Sequence, residues 1–400
     1  MSNFGAFTPR LMHSGRYVFS QVVDFVPRYE FDKIVAKYNG NYHARELNCY
    51  NQFLHLLFGQ LTGCSSLREI CLCLEAHRSI LYHLGFRNTV DSTSLSRANE
   101  RRDYRIYEEF GYQLISIVRP LYYYDKIPEV SLAEDVLALD STTISVSIRL
   151  CAWALGKYSR GAVKMHTVMD LRGSIPVFIH VTDGRCHDRN LLDLIVPLPF
   201  TFYVMDKAYV DFASFARFDT AGAYFVTRAK DNMRYEVEER NYNIDESYGL
   251  LGDCTVRLTG VKTAKIYPKP LRLIEYRDPD SGEKLRFVTN NFDISALEVA
   301  NIYRNRWQIE VFFKWIKQNI VIKTMWGYSE NAVKTHLWVA ICAYLVVARI
   351  KATYDTPYSI TEILSILHVS ALEKTSLKEL LSSSETLIQN HNVNEPNLFD

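Results

Sequence analysis

Four residues near position 310 have a spacing that chemistry can use. They are Tyr303, Arg306, Glu310 and Lys317, in the segment YRNRWQIEVFFKWIKQ that runs from Tyr303 to Gln318. The spacing is Y-x2-R-x3-E-x6-K. At about 3.6 residues per turn, steps of three, four and seven return to nearly the same angle, so a helix here carries one carboxylate flanked by two cations and a phenol. Lys314, four residues past Glu310, falls on the same stripe. Val311, Phe312, Trp315 and Ile316 lie mostly off it and can pack inward. A carboxylate able to hold a metal, framed by groups that grip phosphate, is what phosphodiester chemistry requires. An ordinary amphipathic helix with exposed ion pairs Arg306–Glu310 and Glu310–Lys314 meets the same pattern. The rest of the chain has to decide between the two.

Two further carboxylates occur in the right setting. The run EDVLALD (134–140) reads as a strand ending at Asp140, and FTFYVMD (200–206) as a strand ending at Asp206. Functional groups of open α/β sheets gather at the carboxyl ends of strands. If these two strands are neighbours, the aspartates face each other and Glu310 on the later helix can complete the cluster. Three carboxylates repel unless a cation pairs with them, so such a cluster implies bound metal. Hard oxygen ligands favour Mg2+ or Mn2+. Two such ions about 3.5–4 Å apart would activate a nucleophile and stabilise a leaving oxygen. Either aspartate alone is an ordinary strand-end turn residue.

The elements that must position these groups follow from pattern and composition. The 400 residues suffice for two or three domains, and 48% hydrophobic content makes the chain globular. Net charge is +1, so any nucleic-acid contact depends on local patches. One lies between Asn301 and Trp326, where Arg304, Arg306, Lys314, Lys317 and Lys323 face Glu310 alone. Eight scattered cysteines without C-x2-C spacing read as free thiols in a reducing cytosol. The N-terminal stretch lacks a signal-type apolar core, and the longest apolar run, Leu337 to Ala348, fits a buried helix better than a membrane span. A cytoplasmic location without membrane attachment is the expectation.

Residues 1–130 read as all-helical. A Ser/Thr-rich turn near Ser94 is expected to cap a basic helix bearing Arg97, Arg101 and Arg102, suited to DNA or to solvent alike. Residues 131–325 read as the α/β core: strands near 134–140, 163–171, 174–183, 200–206 and 223–229, with helices near 190–195 and 210–217. A β-rich insertion occupies about 230–291, and helix resumes with Asp293 or Ser295 as cap. Residues 326–400 read as helical with a frayed, Asn-rich tail.

Taken together, these residues resemble the DDE transposases of bacterial insertion sequences, in particular the insertion-sequence-four family. The Y-x2-R-x3-E-x6-K signature is complete as Tyr303, Arg306, Glu310 and Lys317. Asp140 in LALDST and Asp206 in VMDKAYVD match the two aspartates, and the resemblance covers most of the chain. It implies a ribonuclease-H-like catalytic core with a β-rich insertion, flanked by helical N- and C-terminal domains. It further implies that Asp140, Asp206 and Glu310 are catalytic and bind two Mg2+ or Mn2+ ions, and that Tyr303, Arg306 and Lys317 grip DNA phosphates.

The expected partners are DNA, both the terminal inverted repeats and the target, and a second copy of the chain as a homodimer on DNA. The N-terminal helices are the expected reader of the element ends and the C-terminal helices the expected dimer surface. Weaker candidates for DNA contact are Lys314, Lys157, Arg160, Lys164, His166, His187 and Arg228. Asp188 is read as a helix cap. Tyr235, Tyr242, Tyr248 or Tyr267 is available to hold a flipped base in a hairpin intermediate. Trp307, Trp315 and Trp326 can stack on a base, although core packing is the favoured reading for the first two. The rival readings are a metal-dependent nuclease without strand transfer and a non-catalytic DNA-binding derivative.

Overall fold

The computed structural model describes residues 15–146, 153, 154, 156, 161–319 and 325–382. Lys157, Arg160, Lys323, Cys151 and the Asn-rich tail lie outside the described residues. The chain divides into two compact units, with boundaries at Leu121/Tyr122 and Lys314/Trp315.

The helical unit draws on both ends of the chain. Its N-terminal share includes the helices Arg28–Lys37, Cys49–Thr62, Leu67–Ala76, Ser92–Arg101 and Arg105–Val118. Its C-terminal share includes Glu330–Tyr354 and Ile360–Ser370. The two shares were expected as separate regions, yet they have one core. The reason lies in Glu330–Tyr354, whose residues from Leu337 to Ala348 are all buried. A helix that is apolar on every side needs cover on every side. The N-terminal helices Cys49–Thr62 and Arg105–Val118 provide it. Gly111 allows close approach, since a Cβ there would stand 2.8 Å from the Trp338 ring. This helix is long and apolar enough to cross a membrane by length and composition, and 89% of its most apolar window is buried in the protein.

Capping differs in one detail from the expectation. Asp91, not Ser94, caps Ser92–Arg101, accepting from the amides of Thr93 and Ser94 at 2.9 Å. Of the two expected caps, Asp293 and Ser295, it is Ser295 that caps the helix carrying Tyr303.

The second unit is built on one mixed sheet of nine strands in the order β3-β2-β1-β4-β5-β9-β8-β7-β6. The strands are β1 (Val136–Val146), β2 (Gly161–Asp170), β3 (Ile175–Asp183), β4 (Phe202–Met205), β5 (Tyr224–Arg228), β6 (Tyr235–Arg240), β7 (Leu250–Leu258), β8 (Leu271–Arg277) and β9 (Lys284–Thr289). Strands β1, β4 and β5 run parallel, with β2 and β3 antiparallel on one side. The β-rich insertion is no separate body. It is an antiparallel meander, and its last strand, β9, pairs with β5 and extends the core sheet.

One face of β1 and β4 presents Leu137, Leu139, Tyr203 and Met205 to a buried cluster with Phe215 and Phe218 of the helix Phe212–Thr220. The meander is pinned by a buried pair: Arg272 Nε and Nη2 donate to the two oxygens of Asp253 at 2.9 Å, and Asn241 donates to the same carboxylate. Burial alone would raise the Asp253 carboxyl, but the hydrogen bonds from Arg272 and Asn241 hold it below the usual range.

Two outcomes follow from this packing. Burial lowers His55 to about 4 and His336 to about 3, so both are neutral in the folded helical unit. The unfolded chain protonates them near about 6.5, and it therefore binds more protons. Stability should fall as pH drops below about 6.5, by up to about 1.4 kcal/mol per pH unit for each histidine. Urea unfolding at pH 7 and pH 5 tests this, with a shallower slope expected in His55→Gln and His336→Gln. Separately, Asp253→Ala leaves Arg272 buried without its partner. It should cost about 3–5 kcal/mol in denaturant unfolding.

Candidate active site

Sheet register brings the two aspartates together. The parallel pair β1–β4 ends at Leu139↔Met205, and Asp140 and Asp206 are the next residue on each chain. Successive side chains alternate faces, so both carboxylates project from the face opposite the Leu139–Met205 core. Asp140 does not end its strand as expected, because β1 continues to Val146 against β2. It is β4 that stops, at Met205, so the β1–β4 ladder ends one residue before Asp140.

The signature residues reach this face from two consecutive helices, Ala296–Asn305 and Trp307–Asn319, rather than from one. At the junction the backbone tightens to i→i−3 bonds, Arg306 N–H to Tyr303 O and Ile309 N–H to Arg306 O, both 3.1 Å. Arg306 keeps right-handed helical torsions, so the stripe stays in line. Asn301 and Asn305 donate to the carbonyls of Glu129 and Pro128 at 2.8 Å, anchoring the first helix to the segment that leads into β1.

Arg306 is the hub. Its Nη1 donates to Asp140 Oδ2 at 3.1 Å and its Nη2 to Glu310 Oε1 at 2.7 Å. Tyr303 Oη makes a long 3.3 Å contact to Asp206 Oδ1 and packs its ring on Phe287. Burial pushes the Asp140 carboxyl up to about 6. Arg306 and the Ser141 amide pull it back, while the charges of Glu310 and Asp206 push it further. Burial opposes the charge of Arg306, and Tyr303, Asp140 and Glu310 outweigh that, raising its pKa. Burial likewise pushes the Tyr303 phenol up to about 12. Asp140, Asp206 and Glu310 are hard oxygen donors of the kind that suits a divalent cation, but Arg306 stands between Asp140 and Glu310. In the present arrangement the Arg306 guanidinium supplies the positive charge. No group of three or more His, Cys, Asp or Glu side chains stands close enough to hold a metal among the described residues.

Other candidates fall in different places. Lys314 and Lys317 are exposed on the Glu310 helix. Arg304, counted in the basic patch, is paired with Glu129 at 2.8 Å. Arg228 is paired with Glu283 at 2.6 Å. Lys164 is only 12% exposed and paired with Asp188 at 2.6 Å. His166 is buried and His187 exposed. The Asp188 side chain does not cap the following helix, because Lys164 and Ser141 occupy it. Trp315 is buried as favoured, whereas Trp307 is 57% exposed, contrary to the packing expectation. Trp326 is buried and stacked on His336. Among the tyrosines of the meander, Tyr242 and Tyr248 are exposed and Tyr267 is buried.

Asp188 and Tyr209 are the groups near Asp140 that pattern reasoning did not assign to the site. The signal for Asp188 was the His187-Asp188 step just after β3. That for Tyr209 was its place three residues after Asp206.

Arg306→Gln should raise the Asp140 carboxyl above about 6, because the nearest positive charge is removed. A pH titration of the Asp140 carboxyl carbon by NMR checks this, and an unchanged midpoint would refute the coupling.

The family described as Transposase DDE domain matches residues 131–346. A domain of unknown function matches residues 14–87. A putative transposase of Sinorhizobium fredii is 34% identical over 209 residues, covering 52% of this chain and 58% of that protein. A probable transposase for an insertion sequence element of Geobacillus stearothermophilus is 33% identical over 209 residues, covering 52% and 54%. A putative insertion-sequence transposase of Synechocystis is 26% identical over 305 residues, covering 75% and 83%. The chain thus spans little more than half the length of the first two relatives.

Proposed function

The chain belongs to the DDE transposases of bacterial insertion sequences, and from that premise we propose that it cuts and rejoins DNA at the ends of its own mobile element. The observation that carries the reading is the junction of Asp140 and Asp206 at the end of the parallel β1–β4 pair, with Arg306 linking Asp140 to Glu310. The strand order, with two antiparallel strands beside three parallel ones, supports a ribonuclease-H-like core for this unit.

In this reading Asp140, Asp206 and Glu310 hold two Mg2+ or Mn2+ ions. When bound, these lower the pKa of a water or hydroxyl nucleophile and offset charge on the leaving oxygen. The chain's own part is to keep the carboxylates in register and to bind the DNA backbone. Arg306 is a fork-shaped donor suited to phosphate, and Tyr303 supports it from the buried side. Lys314 and Lys317, exposed on the Glu310 helix, are the lysines offered to the backbone. Arg228 and Lys164 are held by Glu283 and Asp188 and are not assigned to the DNA contact.

The first step is hydrolysis that frees a 3′-hydroxyl. In the second, that hydroxyl attacks a target phosphodiester and the target's own 3′-oxygen leaves. Two element ends must be held together, so we assign a homodimer on DNA. The N-terminal helices read the inverted repeats, whereas the C-terminal stretch Leu337 to Ala348, expected as a dimer surface, is buried within its own unit and is not assigned that role. The working location is the bacterial cytoplasm, without membrane attachment.

Cleavage of a labelled duplex carrying the inverted repeat that flanks the gene tests the reading, with Mg2+ present. Wild type should cut, and it should join a pre-cut end to target DNA. Glu310→Gln should bind the duplex equally and cut at least about a thousandfold more slowly, since losing a metal ligand costs several kcal/mol. Cutting without joining would mark a nuclease. Equal binding with no cutting by wild type would mark a non-catalytic DNA-binding protein.

A further inference from the structure

Asp140 is held from two sides. Arg306 grips Oδ2 from the helix face, and the backbone N–H of Ser141 donates to Oδ1 at 2.8 Å. Any event that draws Arg306 onto a phosphate releases the first grip. What then orients Asp140 is the amide of Ser141, and the setting of that amide depends on where residue 141 is pinned.

Ser141 is pinned on the opposite face of the sheet. Its hydroxyl donates to Asp188 Oδ1. The same carboxylate oxygen takes Lys164 Nζ at 2.6 Å, and Lys164 also donates to the Cys186 carbonyl at 3.0 Å. Ladder register aligns these groups: Ser141 stands opposite His166 and Thr143 opposite Lys164, so Ser141, His166 and Lys164 share one face. Asp188 arrives from the segment between β3 and the helix Asn190–Leu194, so the pair ties the β3 exit to β2 and β1 at the level of Asp140. His166 Nδ1 lies 4.0 Å from Asp188 and has no hydrogen-bond partner among the described residues. Lys164 and Ser141 outweigh burial at Asp188 and hold its carboxyl below the usual range. The Asp188 carboxylate thus stays charged in a half-buried setting.

We propose that Asp188 and Lys164 are a positioning pair for the transposase reaction, fixing Asp140 through Ser141 so that its carboxylate keeps its place when Arg306 turns to DNA. The pair touches no reacting atom. Its role is that of an outer partner of a metal-binding carboxylate, whose loss typically lowers metal affinity or activity about 10–100-fold. The proposal rests on the reading of Asp140 as a metal ligand.

The test compares wild type with Asp188→Asn, Asp188→Ala, Lys164→Met, Ser141→Ala and the Asp188→Asn/Ser141→Ala double variant. Mn2+ binding is followed by the EPR signal of free Mn2+, end-duplex binding is measured in EDTA, and single-turnover cleavage is measured across Mn2+ concentrations. Expected is duplex binding within about twofold of wild type, with Mn2+ half-saturation raised about 10–100-fold in the single variants. The double variant should be no worse than the weaker single one, because both break one linkage. Should Asp188→Ala fail to fold, the isosteric Asp188→Asn and Ser141→Ala carry the test. Wild-type Mn2+ affinity in both of these, or losses that multiply in the double variant, overturn the proposal. A shifted Mn2+ affinity in a chain whose wild type never cuts DNA would leave the positioning pair standing and remove the transposase reading instead.

Discussion

Carboxylates gathered in a partly buried space repel one another, and everything around Asp140 depends on how that repulsion is offset. Arg306 offsets it here. One guanidinium bridges Asp140 and Glu310, groups 170 residues apart in sequence, with charge-assisted hydrogen bonds on both sides. The same property that makes Arg306 a good internal counter-ion makes it a good phosphate donor. Its fork geometry serves either partner, and a cation that arrives at the acids leaves it free for the other. Lys164, Arg228 and Arg304 are likewise paired with internal acids.

The scaffold makes that bridge possible in two ways. A short β4 leaves Asp140 and Asp206 side by side at the end of the parallel pair, and a tightened helical junction sets Arg306 between Asp140 and Glu310. The opposite face of the same strands is packed with Leu139, Met205 and their neighbours, so the strands have little room to shift. Asn301 and Asn305 bind the incoming helix to the segment before β1. Polar groups therefore stand on a rigid apolar backing, which preorganised catalysis requires.

The Asp188–Lys164 pair adds a second layer on the far side of the sheet. Outer partners of this kind are easily mistaken for surface chemistry in a sequence. A basic residue in a strand near the acids suggests phosphate contact, and an Asp before a helix suggests a cap. Their mutual pairing turns both side chains inward and changes what each can do.

Much of this protein was legible in the sequence by itself. Alternation and β-branched runs located the core strands, because a half-buried strand must alternate. The signature spacing put Tyr303, Arg306 and Glu310 on one stripe because helical geometry is local. The meander was visible as strand-like runs between the fifth strand and the Glu310 helix. Pairing and packing decided the rest. That Asp140 lies inside a strand follows from how far β1 pairs with β2, which no local pattern reports. That both chain ends share one helical core follows from the burial of Glu330–Tyr354 on all sides. The exposure of Trp307, the inward turn of Lys164 and the pairing of Arg304 and Arg228 depend on partners far away in sequence. Spacing tells which residues can meet on one element; only the folded chain determines which opposite charge each of them finds.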